Sequence, residues 1–211
     1  MRSIVRMFSL FRLWVLAASL LAAPLLYAGP PVILIIGDSL SAGYGMALAE
    51  SWPSLLQDRL DAQGLAYKVV NSSITGDTTQ GGLTRLPRLL DMHQPSIVVI
   101  ELGGNDGLRG LGIEATRQNL ARMIEQSQAC GADVLLTGIR LPPNYGEAYT
   151  SLFRDMYTEL SNEHDTLLVP FLMDGVALVP GLMQADGIHP AASAQPVMLD
   201  HVWDALAQVL D

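Results

Sequence analysis

Short apolar runs, each stopped by glycine, proline or a polar turn, alternate along this chain with longer stretches whose leucines recur three and four residues apart. Val32 to Ile36, Tyr67 to Asn71, Ser96 to Glu101, Asp133 to Gly138 and Leu167 to Pro170 are dense in Val, Ile and Leu and too short for helices, so they read as five strands. Between them the spacing predicts helices from Trp52, from about Gly82 to Met92, from Glu114 to Ala129, from Glu147 to Glu163 and from about Ala191 to Leu210. Strands apolar on both sides and separated by helices predict an α/β fold: a five-stranded parallel sheet covered on both faces. Right-handed crossovers bring the loops that follow the strands to one edge of such a sheet, which is where ligands bind.

Length and charge narrow the picture. The 211 residues suffice for one well-cored domain, expected over residues 29–211. Residues 1–28 carry Arg2, Arg6 and Arg12, then an uncharged apolar run from Leu13 to Ala28 broken by Ser19 and Pro24. That pattern predicts a signal peptide and a periplasmic or secreted product without a stable membrane anchor after cleavage. The leader holds three arginines and no acid, so the formal charge of −9 becomes −12 without it. An acidic domain repels phosphate backbones, which argues against a nucleic-acid partner. Cys130 is the only cysteine, so no internal disulfide can form; its expected place is buried, as a small hydrophobe.

Candidate chemistry lies in the loops after the strands. Ser39 closes the first strand, where a hydroxyl would face the crevice, although Gly-Asp-Ser can equally be a turn with Ser39 capping the next helix. A serine nucleophile needs a base, and the base needs an orienting group. Of four histidines, His93, His164 and His201 fall at or within helices, whereas His189 follows Asp186 by three residues in a turn closed by Pro190. That spacing lets a carboxylate hold one ring nitrogen while the other faces Ser39. Acyl transfer also needs donors for a developing oxyanion, and the amide of Ser39, the amide of Gly76 and the side-chain NH2 of Asn105 are of the right kind. Gly76 and Asn105 can also be simple turn residues. No G-x-G-x-x-G follows the first strand, which weakens a dinucleotide reading.

Gly37-Asp38-Ser39-Leu40, Gly76, Gly103-Gly104-Asn105-Asp106 and Asp186-Gly187-Ile188-His189-Pro190 together resemble the four ordered blocks of the SGNH (GDSL-type) hydrolases. The likeness extends to their bacterial periplasmic branch of multifunctional thioesterase, protease and lysophospholipase activity, with its arylesterase relatives. The resemblance implies a flavodoxin-like three-layer α/β/α sandwich, with Ser39 as nucleophile, His189 as general base then acid, and Asp186 as its orienter. It further implies an oxyanion hole of Ser39, Gly76 and Asn105, and no metal or organic cofactor; the expected partner is a small ester or thioester substrate, and the expected state a monomer. Leu108, Leu111, Leu141, Pro142 and Tyr145, on two of the loops, are candidates to line an acyl tail. Two other functions compete with the esterase. One is a metal-dependent phosphoesterase using Asp38, Asn105, Asp106, Asp186 and His189 as ligands; the other is a non-catalytic lipid-binding protein.

Overall fold

The computed structural model describes residues 29–210, so the expected signal peptide over residues 1–28 lies outside the described residues. Five parallel strands make one sheet: β1 Val32–Gly37, β2 Lys68–Asn71, β3 Ile97–Glu101, β4 Asp133–Thr137 and β5 Leu167–Val169, in the order β2-β1-β3-β4-β5. The helices are α1 Ser39–Ala42, α2 Trp52–Gln63, α3 Thr79–His93, α4 Gly104–Leu108, α5 Ile113–Ala129, α6 Glu147–His164 and α7 Gln195–Leu206. Among the described residues no helix is long and apolar enough to cross a membrane.

Alternation within each strand builds two cores. Leu34 and Ile36 of β1, Val98 and Ile100 of β3, and Val134 and Leu136 of β4 pack with Leu86 of α3, Leu120 and Met123 of α5 and Phe153 of α6. Ile33, Ile35, Ile97, Val99 and Leu135 point the other way, against Trp52 and Leu56 of α2 and Met198 and Val202 of α7. Successive strand side chains face opposite sides, so a strand covered on both faces must be apolar throughout. Each fully buried aliphatic side chain contributes about 1.5–3 kcal/mol by leaving water. This double core fixes where the strands end, and therefore where the loops beyond them meet.

Helix boundaries differ from the periodic pattern where capping decides them. α3 starts three residues earlier than expected because the Thr78 side chain accepts from the Gly81 amide and caps it. The last helix starts later: Ala192–Ala194 forms a 3-10 turn, and Pro196, which has no N–H to donate, occupies the first turn of α7. The stretch after β3, read from its glycines as a loop, contains the short helix α4. Cys130 is exposed rather than buried, because it sits at the C-terminal end of α5 with its thiol donating to the Ser127 carbonyl at 3.0 Å.

Candidate active site

At the end of β1 the chain turns directly into α1, and Asp38 rather than Ser39 is its cap: the Asp38 carboxylate accepts the Leu40 amide at 3.0 Å. Ser39 is thereby the first helical residue, half-buried. The loop after β2 is laid against the same strand end, with the Ile74 amide donating to the Gly37 carbonyl at 3.0 Å. Arg85 on α3 clamps that junction: its guanidinium donates to Asp77 at 2.9 Å, to the Ser72 carbonyl, and to the Gly37 carbonyl at 3.4 Å.

The loop before α7 brings the imidazole. A one-residue bridge between Met183 and Pro190 closes that loop, and the Gln184 amide donates to the His189 carbonyl at 2.8 Å. Gln184 also donates from its side chain to the Tyr44 and Pro190 carbonyls, at 2.8 and 3.0 Å, tying this loop to the segment after α1. His189 Nε2 lies 2.9 Å from Ser39 Oγ, and His189 Nδ1 lies 2.7 Å from Asp186 Oδ2. The other carboxylate oxygen of Asp186 accepts the amides of Ile188 at 2.9 Å and His189 at 3.0 Å. Chiefly through the His189 amide, and through the ring and the Ile188 amide besides, the Asp186 carboxyl is held down to about 2 although it is exposed. The tautomer with its proton on Nδ1 faces this carboxylate and leaves Nε2 as an acceptor toward Ser39. The Tyr44 ring lies 4.3 Å from the imidazole, centroid to centroid, and backs it from one side.

Asn105, in the first turn of α4, donates through Nδ2 to Asp38 at 3.0 Å. Arg109 joins it to the neighbouring loop by donating to the Gly76 carbonyl at 3.0 Å and to Asn105 Oδ1 at 3.4 Å. With Oδ1 facing the guanidinium and one Nδ2 hydrogen on Asp38, the second Nδ2 hydrogen is left for a ligand. Gly76 has φ +79, a conformation side chains resist, so its amide direction depends on glycine. Hydrogen bonds thus connect the Ser39, Gly76 and Asn105 segments to one another.

The apolar candidates separate. Leu111 and Tyr145 are exposed, Pro142 is exposed, and Leu108 is half-buried against the core. Tyr145 donates its hydroxyl to the Leu108 carbonyl at 2.9 Å, which holds the two loops together. Leu141 is instead a core residue, 7% exposed, turned inward over Gly107, where a Cβ would meet it at 2.5 Å. Its side chain fills the space that glycine leaves, so it does not line a surface groove. Nor do the five polar residues of the phosphoesterase reading form one ligand set. Asp106 is turned to the Thr79 amide and hydroxyl at 2.9 and 2.5 Å, and among the described residues no three His, Cys, Asp or Glu side chains gather as they would around a metal.

Sequence reasoning missed Glu101, Arg85 and Arg109. For Glu101 a signal existed: a lone acid closing the run Ile97-Val98-Val99-Ile100. Gly37 pairs with it across the sheet, and a Cβ on Gly37 would stand 2.7 Å from Glu101 Oε2 and 2.9 Å from Ser41 Oγ. Gly37→Ala should therefore destabilise the fold by about 1–3 kcal/mol through overpacking. A urea midpoint lowered at unchanged slope is the expected result; an unchanged midpoint would contradict it.

The GDSL-like lipase/acylhydrolase family model matches residues 35–195. Esterase TesA of Pseudomonas aeruginosa is 51% identical over 183 residues, which cover 87% of this chain and 91% of that protein. Thioesterase 1/protease 1/lysophospholipase L1 of Escherichia coli K12 is 49% identical over 173 residues, 82% of each. The crystal structure of TesA superposes with a TM-score of 0.83 at 52% identity, covering 85% of this chain and 99% of that one. By sequence over most of its length and by its five-stranded α/β fold, this chain belongs to the GDSL-like (SGNH) lipase/acylhydrolase family.

Proposed function

We propose that this chain is an exported serine esterase that hydrolyses carboxylic esters and thioesters, with residues 29–211 as its one catalytic domain. The observation that carries the reading is the unbroken line Ser39 Oγ, His189 Nε2, His189 Nδ1, Asp186 Oδ2, at 2.9 and 2.7 Å. His189 takes the Ser39 proton as the oxygen attacks the ester carbonyl, and the ionised Asp186 stabilises the imidazolium that results. The Ser39 and Gly76 amides and Asn105 Nδ2 donate to the carbonyl oxygen as it becomes negative. His189 then returns the proton to the departing alcohol or thiol, leaving an acyl group on Ser39. Water, deprotonated by His189, attacks this acyl-enzyme and releases the acid, restoring the serine.

The substrate class follows from the relatives and the rim. The Pseudomonas and Escherichia relatives are named for esterase, thioesterase and lysophospholipase activities, and Ile74, Leu111, Tyr145 and Ile188, on the loops after the strands, are exposed. These features support small amphipathic substrates with an acyl tail: lysophospholipids, acyl thioesters and aryl esters. The signal-like pattern in residues 1–28 supports export to the periplasm or medium.

A fluorescent alkylphosphonate ester tests the mechanism, because it phosphonylates only an activated serine. We expect one equivalent bound per chain, on the peptide containing Ser39, with loss of ester hydrolysis in proportion. Labelling elsewhere, or full labelling with activity retained, would overturn the assignment.

A further inference from the structure

Beneath Ser39 lies a carboxyl group that the mechanism above does not use. Glu101 is fully buried at the end of β3. One of its oxygens, Oε2, accepts both the Asp38 amide at 3.2 Å and the Ser41 hydroxyl at 2.7 Å, gripping the chain on either side of Ser39. The other oxygen, Oε1, is buried and has no partner among the described residues. The missing Cβ of Gly37 is what gives this carboxyl its space.

We propose that Glu101 is a positioning residue that works as a neutral acid, keeping a proton on Oε1 while Oε2 holds the turn carrying Ser39, so that the buried charge beneath the site rests on Asp38 alone. The inference rests on Ser39 being the reacting residue.

The surroundings argue for the neutral form. Among the described residues, an ionised carboxylate so placed would have two donors on one oxygen and none on the other, with no cation paired to it. The groups on the neighbouring elements are negative, neutral, or already engaged elsewhere. From the end of β1 comes Asp38, whose carboxylate already accepts Leu40 and Asn105. From α6 comes the buried Tyr157, whose hydroxyl donates to the Leu102 carbonyl at 2.9 Å and not to Glu101. The Arg85 guanidinium on α3 is spent on Asp77, Ser72 and Gly37, while His189 and Asp77 face Asp38 from the loops. Burial first, and Asp38 second, push the Glu101 carboxyl well above its ordinary value.

Splitting the two roles also suits the chemistry. The Asp38 carboxylate accepts from the Asn105 NH2 group, whereas a second buried negative charge at Glu101 would add to the repulsion of an oxyanion formed at Ser39. A neutral Glu101 fixes the turn without adding to that repulsion.

The test uses the whole enzyme and two substitutions. In infrared spectra of the wild type at pH 8, where Asp38 is ionised, we expect the C=O stretch of a protonated carboxylic acid, and we expect E101Q to lack it. Glutamine offers the same oxygen to Asp38 and Ser41, so E101Q should keep kcat within about threefold of wild type. E101L leaves both donors unpaired and should lower kcat about tenfold or more with KM little changed, because Ser39 is displaced and the substrate surface is not. No acid band in the wild type, or E101Q as impaired as E101L, or E101L as active as wild type, would overturn the proposal. If E101L does not fold, the infrared band and E101Q decide alone. The band should persist in S39A, so failure of the serine mechanism and failure of this proposal give different results.

Discussion

Ser39→Ala is expected to lower kcat for an aryl butyrate by about a millionfold, roughly 8 kcal/mol of transition-state stabilisation, and to leave the fold in place. The size follows from how the residues act together. Without Oγ the imidazole has no proton to take and the ester carbonyl has no oxygen to bond, so the Asp186–His189 pair becomes idle along with the serine. What survives is binding plus the donors of Gly76 and Asn105, acting on attack by water. Stability should change little, since the half-buried hydroxyl gives up a single hydrogen bond, worth about 0.5–1.5 kcal/mol. Steady-state rates and a thermal melt on the same preparation check both halves. A phosphoesterase working through carboxylate ligands would lose little, so turnover above about one per cent of wild type would defeat the serine mechanism.

The parts of this molecule legible in the sequence are those whose cause is local. Five runs dense in Val, Ile and Leu marked the strands to within about a residue, as with Ser96 to Glu101 against Ile97–Glu101, because short apolar stretches end at turn residues and the central strands β1 and β3 are buried almost throughout. Asp186 and His189 could be paired on paper because three residues of turn separate them, and the structure sets them 2.7 Å apart. Ser39 was legible as the residue at which an apolar run stops. The resemblance to an ordered set of blocks then joined segments that spacing alone could not.

What stayed hidden depends on contacts distant in sequence. Nothing near Glu101 says that it will face Gly37; that follows from the β1–β3 register, and only then does the glycine read as space for a carboxyl. Leu141 sits in a loop rich in proline and looks like rim, yet it is drawn inward by the hollow at Gly107, more than thirty positions away. The short helix α4 is concealed because two of its five residues are glycine, the poorest helix former apart from proline. There the Tyr149 hydroxyl holds the Gly107 carbonyl at 3.3 Å and Asp106 holds the start of α3, so tertiary contacts override propensity.

Asp38→Asn should move activity and stability in opposite directions. Burial raises the Asp38 carboxyl to about 6 from its usual 3.8, against the opposing pull of the Leu40 amide, Asn105 and His189. The folded state therefore keeps a proton that the unfolded chain has already released between about pH 4 and 6. Wild-type stability falls as pH rises through that window, and above it the buried charge costs about 3 kcal/mol. Asparagine removes this cost, so the variant should gain on wild type at pH 8 by up to about 3 kcal/mol and lose that advantage near pH 4. Catalysis should suffer because the amide has only one oxygen. If that oxygen keeps the Leu40 amide, its NH2 confronts the NH2 of Asn105, and Asn105 must turn its own oxygen toward the substrate. Exchanging an oxyanion donor for an acceptor should lower kcat by about a hundred- to a thousandfold. Urea unfolding of both proteins at pH 4 and pH 8, with kcat at pH 8, measures the opposition. A stability difference that did not change with pH, or wild-type turnover in the variant, would show that the charge on Asp38 neither burdens the fold nor steers Asn105.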